Sequence, residues 1–205
     1  MAFLTADEKN RIRQTIEEVE RHTAGEFVTV IAQQSDDYLY IPTLWAALIA
    51  LAVPGVINYL PFDVLHIHSY LTQFIVFFAL AILFQWSPVK LRLIPRYIKV
   101  QRARRLANMQ FLAQDLHHTA QRTGILLFVS IAERYVEIIA DQGINDVVSA
   151  DTWDKIVNHF VSDVKQGQVA GGFITAIQQC GDVLNKHFPV TATDENELPN
   201  HLIEL

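Results

Sequence analysis

Two long stretches of the chain carry no charge: Tyr38 through Phe62 is 25 residues and Ser69 through Val89 is 21. Stretches of that kind must be buried in protein or in lipid, and a helix needs about 20 apolar residues to cross a bilayer core. Pro54 and Gly55 sit near the end of the first run, where a helix can kink or stop, and Tyr70 and Trp86 bracket the second as interfacial aromatics do. Only Asp63–His68 separates the runs. The expectation is a transmembrane helical hairpin over 39–89. The plainer alternative is a pair of buried core helices, but a chain of 205 residues has little to cover helices that are apolar all round. A content of 51% hydrophobic and 19% charged residues excludes a disordered or fibrous chain.

Charge is distributed in three blocks. Residues 1–38 hold 4 basic and 8 acidic side chains, 39–105 hold 7 and 1, and 106–205 hold 5 and 13. The basic block follows the second run directly: Lys90, Arg92, Arg96, Lys99, Arg102, Arg104 and Arg105, with no Lys or Arg between the runs. By the positive-inside rule this predicts a multi-pass protein of the inner (plasma) membrane with both termini cytoplasmic and the Asp63–His68 turn outward. In that placement Lys90, Arg92, Arg96 and Lys99, within a juxtamembrane segment 90–99, contact anionic headgroups of the membrane lipid. The net charge of −6 argues against nucleic acid as a partner. A single cysteine, Cys180, excludes an internal disulfide and a Cys-based zinc site.

What remains, 1–38 and 100–188, reads as one discontinuous α/β domain. Thr5-Ala-Asp-Glu8 is a capping box followed by Ile12, Ile16 and Val19 at helical spacing. Glu26–Gln33 and Ile125–Ile131 are apolar, β-rich runs that suit strands buried on both faces, and Tyr135–Ala140 returns from a tight Ala132-Glu133-Arg134 turn. A helix is expected from about Val100 to His118, a second behind an Asp151 cap, and a third from about Val169 to His187. The segment 189–205 is an acidic tail with little to bury. The fold class is a small mixed β-sheet sandwiched by helices and interrupted by the two-helix hairpin. Strands 26–33 and 125–131 are expected to pair in parallel across the inserted hairpin.

Gly124–Ile131, Glu133-Arg134, Tyr135–Asp141 with Gly143, the Trp153 helix, and Gly167 with Gly171-Gly172 before the last helix together resemble the TPM domain family. Thr5 through Gln33 is similar to that family's opening helix and strand. Two departures stand out: the apolar hairpin replaces a short acidic loop, and the family's Gly-Tyr-Gly reads Asp141-Gln-Gly143. The resemblance implies a TPM-like fold and, for activity, acid-phosphatase-like hydrolysis, divalent metal binding or a role in photosystem maintenance.

The topology should gather Asp36, Asp37, Glu133 and Arg134 at the carboxyl ends of the parallel strands, where open α/β sheets bind ligands. These carboxylates are a candidate metal or ligand edge, with Ca²⁺ or Mg²⁺ as the candidate cofactor, although solvated turn residues are the plainer account. Asp141, Asp146 and Asp151 form a weaker second candidate at the opposite edge, Asp151 serving first as a cap. His66-x-His68 with Asp63 reads as a polar turn, and His117-His118 as imidazoles at a helix C-terminus. No phosphate-binding loop, nucleophile elbow or HExxH pattern occurs. The favoured function is a membrane-anchored domain that binds or scaffolds a protein partner, with a second copy as a further candidate partner. The alternative is a weak metal-dependent phosphatase-like hydrolase near the membrane surface.

Overall fold

Two strands are buried at every residue and must be covered on both sides, and that requirement organises the sheet. The computed structural model describes residues 4–57, 69–190 and 202–205. In chain order the described elements are α1 (Ala6–Glu20), β1 (Glu26–Ala32), α2 (Tyr40–Ile57), α3 (Ser69–Gln85), α4 (Ser87–Leu93), α5 (Arg96–Ala113), β2 (Gly124–Ser130), β3 (Tyr135–Ala140), α6 (Gln142–Asn145), α7 (Ala150–Lys165), α8 (Val169–His187) and β4 (Leu202–Glu204). The chain divides into two compact units, Met1–Ser35 with Ala103–Leu205, and Asp36–Arg102.

The first unit is a mixed α/β fold around a four-stranded sheet of order β3-β2-β1-β4. Strands β1 and β2 run parallel with Glu26 opposite Gly124 and Ala32 opposite Ser130, while β3 is antiparallel to β2. Alternation then sorts the side chains. Phe27, Ile31, Ile125, Leu127 and Val129 pack against α1, α7 and α8 through Ile12, Phe160, Phe173 and Ile177. Val28, Val30, Leu126 and Phe128 pack against Ala103, Ala107 and Phe111 of α5 and against Leu116. Cys180 lies in the first of these cores, as an apolar-face cysteine should.

Local chemistry sets the ends of the elements. The capping box forms: the Glu8 backbone N–H donates to Thr5 Oγ1 at 3.3 Å, and the Thr5 N–H donates to Glu8 Oε2 at 2.7 Å. Helix α5 begins at Arg96 and stops at Ala113, so His117 and His118 belong to the turn after it and not to its last turn. Helix α7 has Ser149 at its N-cap, and Asp151 stands in the first turn, where its charge suits the helix dipole. The tail contributes β4, which pairs in parallel with β1 through Thr29–Leu202 and Ile31–Glu204.

The second unit corrects the membrane expectation. No helix among the described residues is long and apolar enough to cross a membrane. Among the described residues α2 has 18 residues and α3 has 17, or about 27 and 26 Å at about 1.5 Å per residue, against a hydrocarbon core of about 30 Å. Buried Tyr38, at φ 52°, precedes α2, and extended Trp86 ends the helical path after α3. The transmembrane hairpin, the multi-pass inner-membrane placement and the cytoplasmic assignment of both termini therefore do not stand. The Asp63–His68 turn lies outside the described residues. Within the unit α2 packs on α3, with the small side chains of Ala46 and Ala50 buried one turn apart, and Tyr38, Ile41 and Ile94 form a separate small core.

Candidate functional site

The carboxyl end of the parallel pair is built by hydrogen bonds that continue beyond the strands. Ile131 N–H donates to Ala32 O at 3.0 Å and Ala132 N–H to Gln33 O at 3.1 Å. Glu133 then locks the edge: its Oε1 accepts the Ser35 N–H at 3.1 Å, and its Oε2 accepts the Ser130 hydroxyl. Ser35 Oγ and Ser130 Oγ are 2.7 Å apart. Because the one Ser130 proton is committed to Glu133, the Ser35 hydroxyl is the donor between them. Ser130 is only 1% exposed, so this chain of hydroxyls fastens the edge and does not present a nucleophile.

Arg134 follows at φ 51°, and its N–H closes the turn onto Ile131 O at 3.2 Å. Its side chain is exposed and makes no ion pair or hydrogen bond among the described residues. It lines a cavity of about 370 Å³ together with Lys165, which ends α7 and is likewise unpaired among the described residues. The walls are Ile131, Val136, Phe160, Val161 and Val164. Ordinary small-ligand pockets begin at about 300 Å³, and this one joins an apolar interior to two free cations. Tyr135 also lines it; burial pushes its hydroxyl up to about 12, and the proton it keeps is donated to Glu137 Oε2 at 2.7 Å. Strand β3 beside the cavity is an edge of the sheet.

The sequence-derived site residues fall as follows. Glu133 and Arg134 belong to the sheet unit, Asp36 and Asp37 to the other. Asp36 Oδ2 is 3.2 Å from Arg102 Nε, and Asp36 Oδ1 accepts the Tyr38 N–H at 2.9 Å, so its charge is already answered. Arg102 also donates to Tyr40 Oη at 3.2 Å and lies over the Tyr40 ring. The Asp37 side chain is exposed, and its carbonyl accepts Lys90 Nζ at 3.0 Å. Lys99 Nζ donates to the Leu91 carbonyl, while Arg92 and Arg96 are exposed.

Of the second candidate group, Asp141 is buried and held by Arg122, with Nε at 3.1 Å and Nη2 at 3.0 Å, and it accepts the Gln142 N–H at 2.7 Å as the cap of α6. Burial pushes its carboxyl up, but the Arg122 and Gln142 bonds outweigh that and hold it below the usual carboxylate range. Asp146 and Asp151 are exposed, at the end of α6 and the start of α7.

Sequence reasoning missed two features. Phe160, Val161, Val164 and Lys165 lie on α7, and no local pattern in the sequence signals that they meet the β2–β3 turn. Asp115, His117 and His118 bring their ligand atoms within 4.8 Å of one another, and they are the group of three or more such residues that the described chain places at metal-holding distance. The signal for the second was present as Asp-x-His-His.

Comparison with known proteins agrees with this architecture. Residues 93–183 match the family model for the TPM domain. No curated protein matches the chain. The NMR structure of the BA42 protein from the psychrophilic bacterium Bizionia argentinensis is similar in fold, with a TM-score of 0.63 at 23% identity, covering 100% of this chain and 97% of that one. The sheet unit thus has a mixed α/β fold with a four-stranded sheet, and the similarity to the TPM domain runs from before α5 to within α8.

Proposed function

We propose that the sheet unit is a binding module for a protein partner, which docks an apolar, carboxylate-bearing segment against β3 with a side chain in the adjoining cavity. The observation that carries this is the pairing of an apolar cavity with Arg134 and Lys165, two cations without partners among the described residues. An exposed sheet edge supplies backbone donors and acceptors for an added strand, and pockets beside it select the side chains. Hydrolysis has weaker support: Ser130 is buried, Asp36 is answered by Arg102, and Asp141 by Arg122. The test is fluorescence anisotropy with labelled hexapeptides ending in two apolar residues, as free carboxylate and as amide. The carboxylate should bind more tightly, and Arg134→Glu with Lys165→Glu should abolish the difference. Equal binding of both forms, or indifference to the two substitutions, overturns the reading.

A second reading concerns the other unit, where Leu48, Leu51, Phe74, Phe78 and Ile82 are exposed on α2 and α3 and Trp86 directly after α3, and where no helix among the described residues is long and apolar enough to cross a membrane. Arg92 and Arg96 follow them, exposed and unpaired among the described residues. Apolar faces rimmed by cations suit an anionic lipid surface that is touched without being crossed, the contact reaching about 5–10 Å into the headgroup boundary. Sedimentation with phosphatidylglycerol-containing vesicles should pull down the chain, and Arg92→Glu with Arg96→Glu should release it. Equal binding to purely zwitterionic vesicles, or a lipid-free dimer by light scattering, overturns it.

A further inference from the structure

We infer that the turn after α5 is a binding site for a single divalent transition metal of the zinc class, held by Asp115, His117 and His118. The ligand atoms of the three lie within 4.8 Å of one another. A tetrahedral zinc centre with nitrogen ligands near 2.0–2.1 Å needs them about 3.3 Å apart. The closure is small, and the exposed Asp115 and His118 side chains are free to rotate through it. His118 Nδ1 already stands 3.4 Å from Asp115 Oδ1, and the two imidazole rings are 3.8 Å apart.

A second observation is independent of that spacing. His117 Nδ1 is shielded from solvent and has no hydrogen-bond partner among the described residues. A buried ring nitrogen left without a partner is costly, and a structure that keeps one invites a ligand for the ring. Nor does the neighbouring carboxylate answer it: Asp141 is near enough for His117 to bear on its charge, yet its oxygens are taken up by Arg122 and Gln142.

The turn is also held in place before any ion arrives. Asp115 N–H donates to Leu112 O at 3.2 Å and His118 N–H to Asp115 O at 2.9 Å, with Asp115 at φ 54°. Between them Leu116 is fully buried against the sheet, and its carbonyl is packed over Gly124 at the start of β2. Ligands on a fixed turn lose little freedom on binding. Two imidazoles and one carboxylate select zinc, nickel, cobalt or copper over calcium and magnesium, which take oxygen ligands. Three protein ligands leave one position for water, the arrangement of an open centre.

The test uses tag-free, metal-stripped full-length protein titrated with Zn²⁺ by calorimetry, and with Co²⁺ followed by its ligand-field absorption. One ion per chain and a tetrahedral cobalt spectrum are expected. His118→Ala and Asp115→Asn change exposed side chains, and asparagine tolerates the left-handed backbone, so both should fold. Each should weaken binding about ten-fold or more. His159→Ala, and His66→Ala with His68→Ala, should leave it unchanged. An absence of binding to the wild-type chain overturns the site, as does undiminished binding to the Asp115→Asn, His118→Ala double variant.

Discussion

The Arg122 guanidinium grips the Asp141 carboxylate with two parallel bonds, Nε to Oδ2 at 3.1 Å and Nη2 to Oδ1 at 3.0 Å, across the start of β2 and the end of β3. Asp141 is 6% exposed and the Arg122 side chain 53%. Removing one partner of a fully buried pair costs about 3–5 kcal/mol. With the guanidinium half in water, screening leaves the cost of Arg122→Met well short of that. Because Asp141 is held below the usual carboxylate range, its contribution is present above its unfolded value and is lost as pH falls through the folded one. Urea unfolding of Arg122→Met should show lower stability at pH 7, and the deficit against the wild type should narrow as pH falls below the unfolded carboxylate value.

Glu20 works in the opposite sense. Its Oε1 accepts the Phe27 N–H at 2.9 Å, but Oε2 is shielded and has no partner among the described residues. Burial pushes the carboxyl up to about 8, the Phe27 N–H opposes this, and Glu26 and Glu17 add to it. A group whose pKa is raised on folding stabilises fully below its unfolded value, about 4.3, and loses that contribution as pH rises toward the folded one. The denaturation midpoint should therefore decline from pH 5 to pH 8. Glu20→Gln should remove most of the decline, exceeding the wild type at pH 8 and matching it near pH 5. An unchanged slope in the variant would place its origin elsewhere.

Two glycines divide cleanly by what a methyl group would meet. A Cβ at Gly124 would sit 2.1 Å from the Leu116 carbonyl oxygen, which is backbone and anchored in the core. Gly124→Ala should cost about 4 kcal/mol or more, enough to lower the folded yield. Gly171, in the first turn of α8, has its nearest neighbour at 3.9 Å. Gly171→Ala should raise stability by about 0.5 kcal/mol through helix propensity. Thermal melts by circular dichroism separate the two.

Strands β1 and β2 were legible because apolar, β-branched and aromatic residues dominate both of their faces. Thr5 and Glu8 announced α1 through a local bond pattern. The helices after Tyr38 were misjudged because an apolar run states what a segment avoids, not where its helix stops. Tyr38 at positive φ and the extended Trp86 fix those ends. Arg134 was placed at the strand ends from sequence, but the cavity needs α7 folded back onto the β2–β3 turn, a contact no local pattern encodes. His117 and His118 were read as helical because the left-handed Asp115 that turns them out of α5 leaves no compositional trace. Strand β4 is three residues long and exists only through its partner.

That last strand gives a test of how the sheet edge is protected. Leu205 N–H donates to Ile31 O at 2.9 Å and Gln33 N–H to Leu205 O at 2.9 Å, so the tail covers the outer side of β1. Lys9 and Glu204 meet at 2.6 Å, but both side chains are partly exposed. Such a pair contributes about 0–1 kcal/mol, which leaves the backbone bonds as the main attachment. Deleting Leu202–Leu205 should abolish hydrogen-exchange protection at the Gln33 amide and leave β2 and β3 protected. It should also promote self-association through the uncovered β1 edge, visible in sedimentation velocity. Lys9→Ala should do neither, and added salt should leave the Gln33 amide protected. If Lys9→Ala or salt alone releases that amide, the ion pair and not the strand pairing holds the tail.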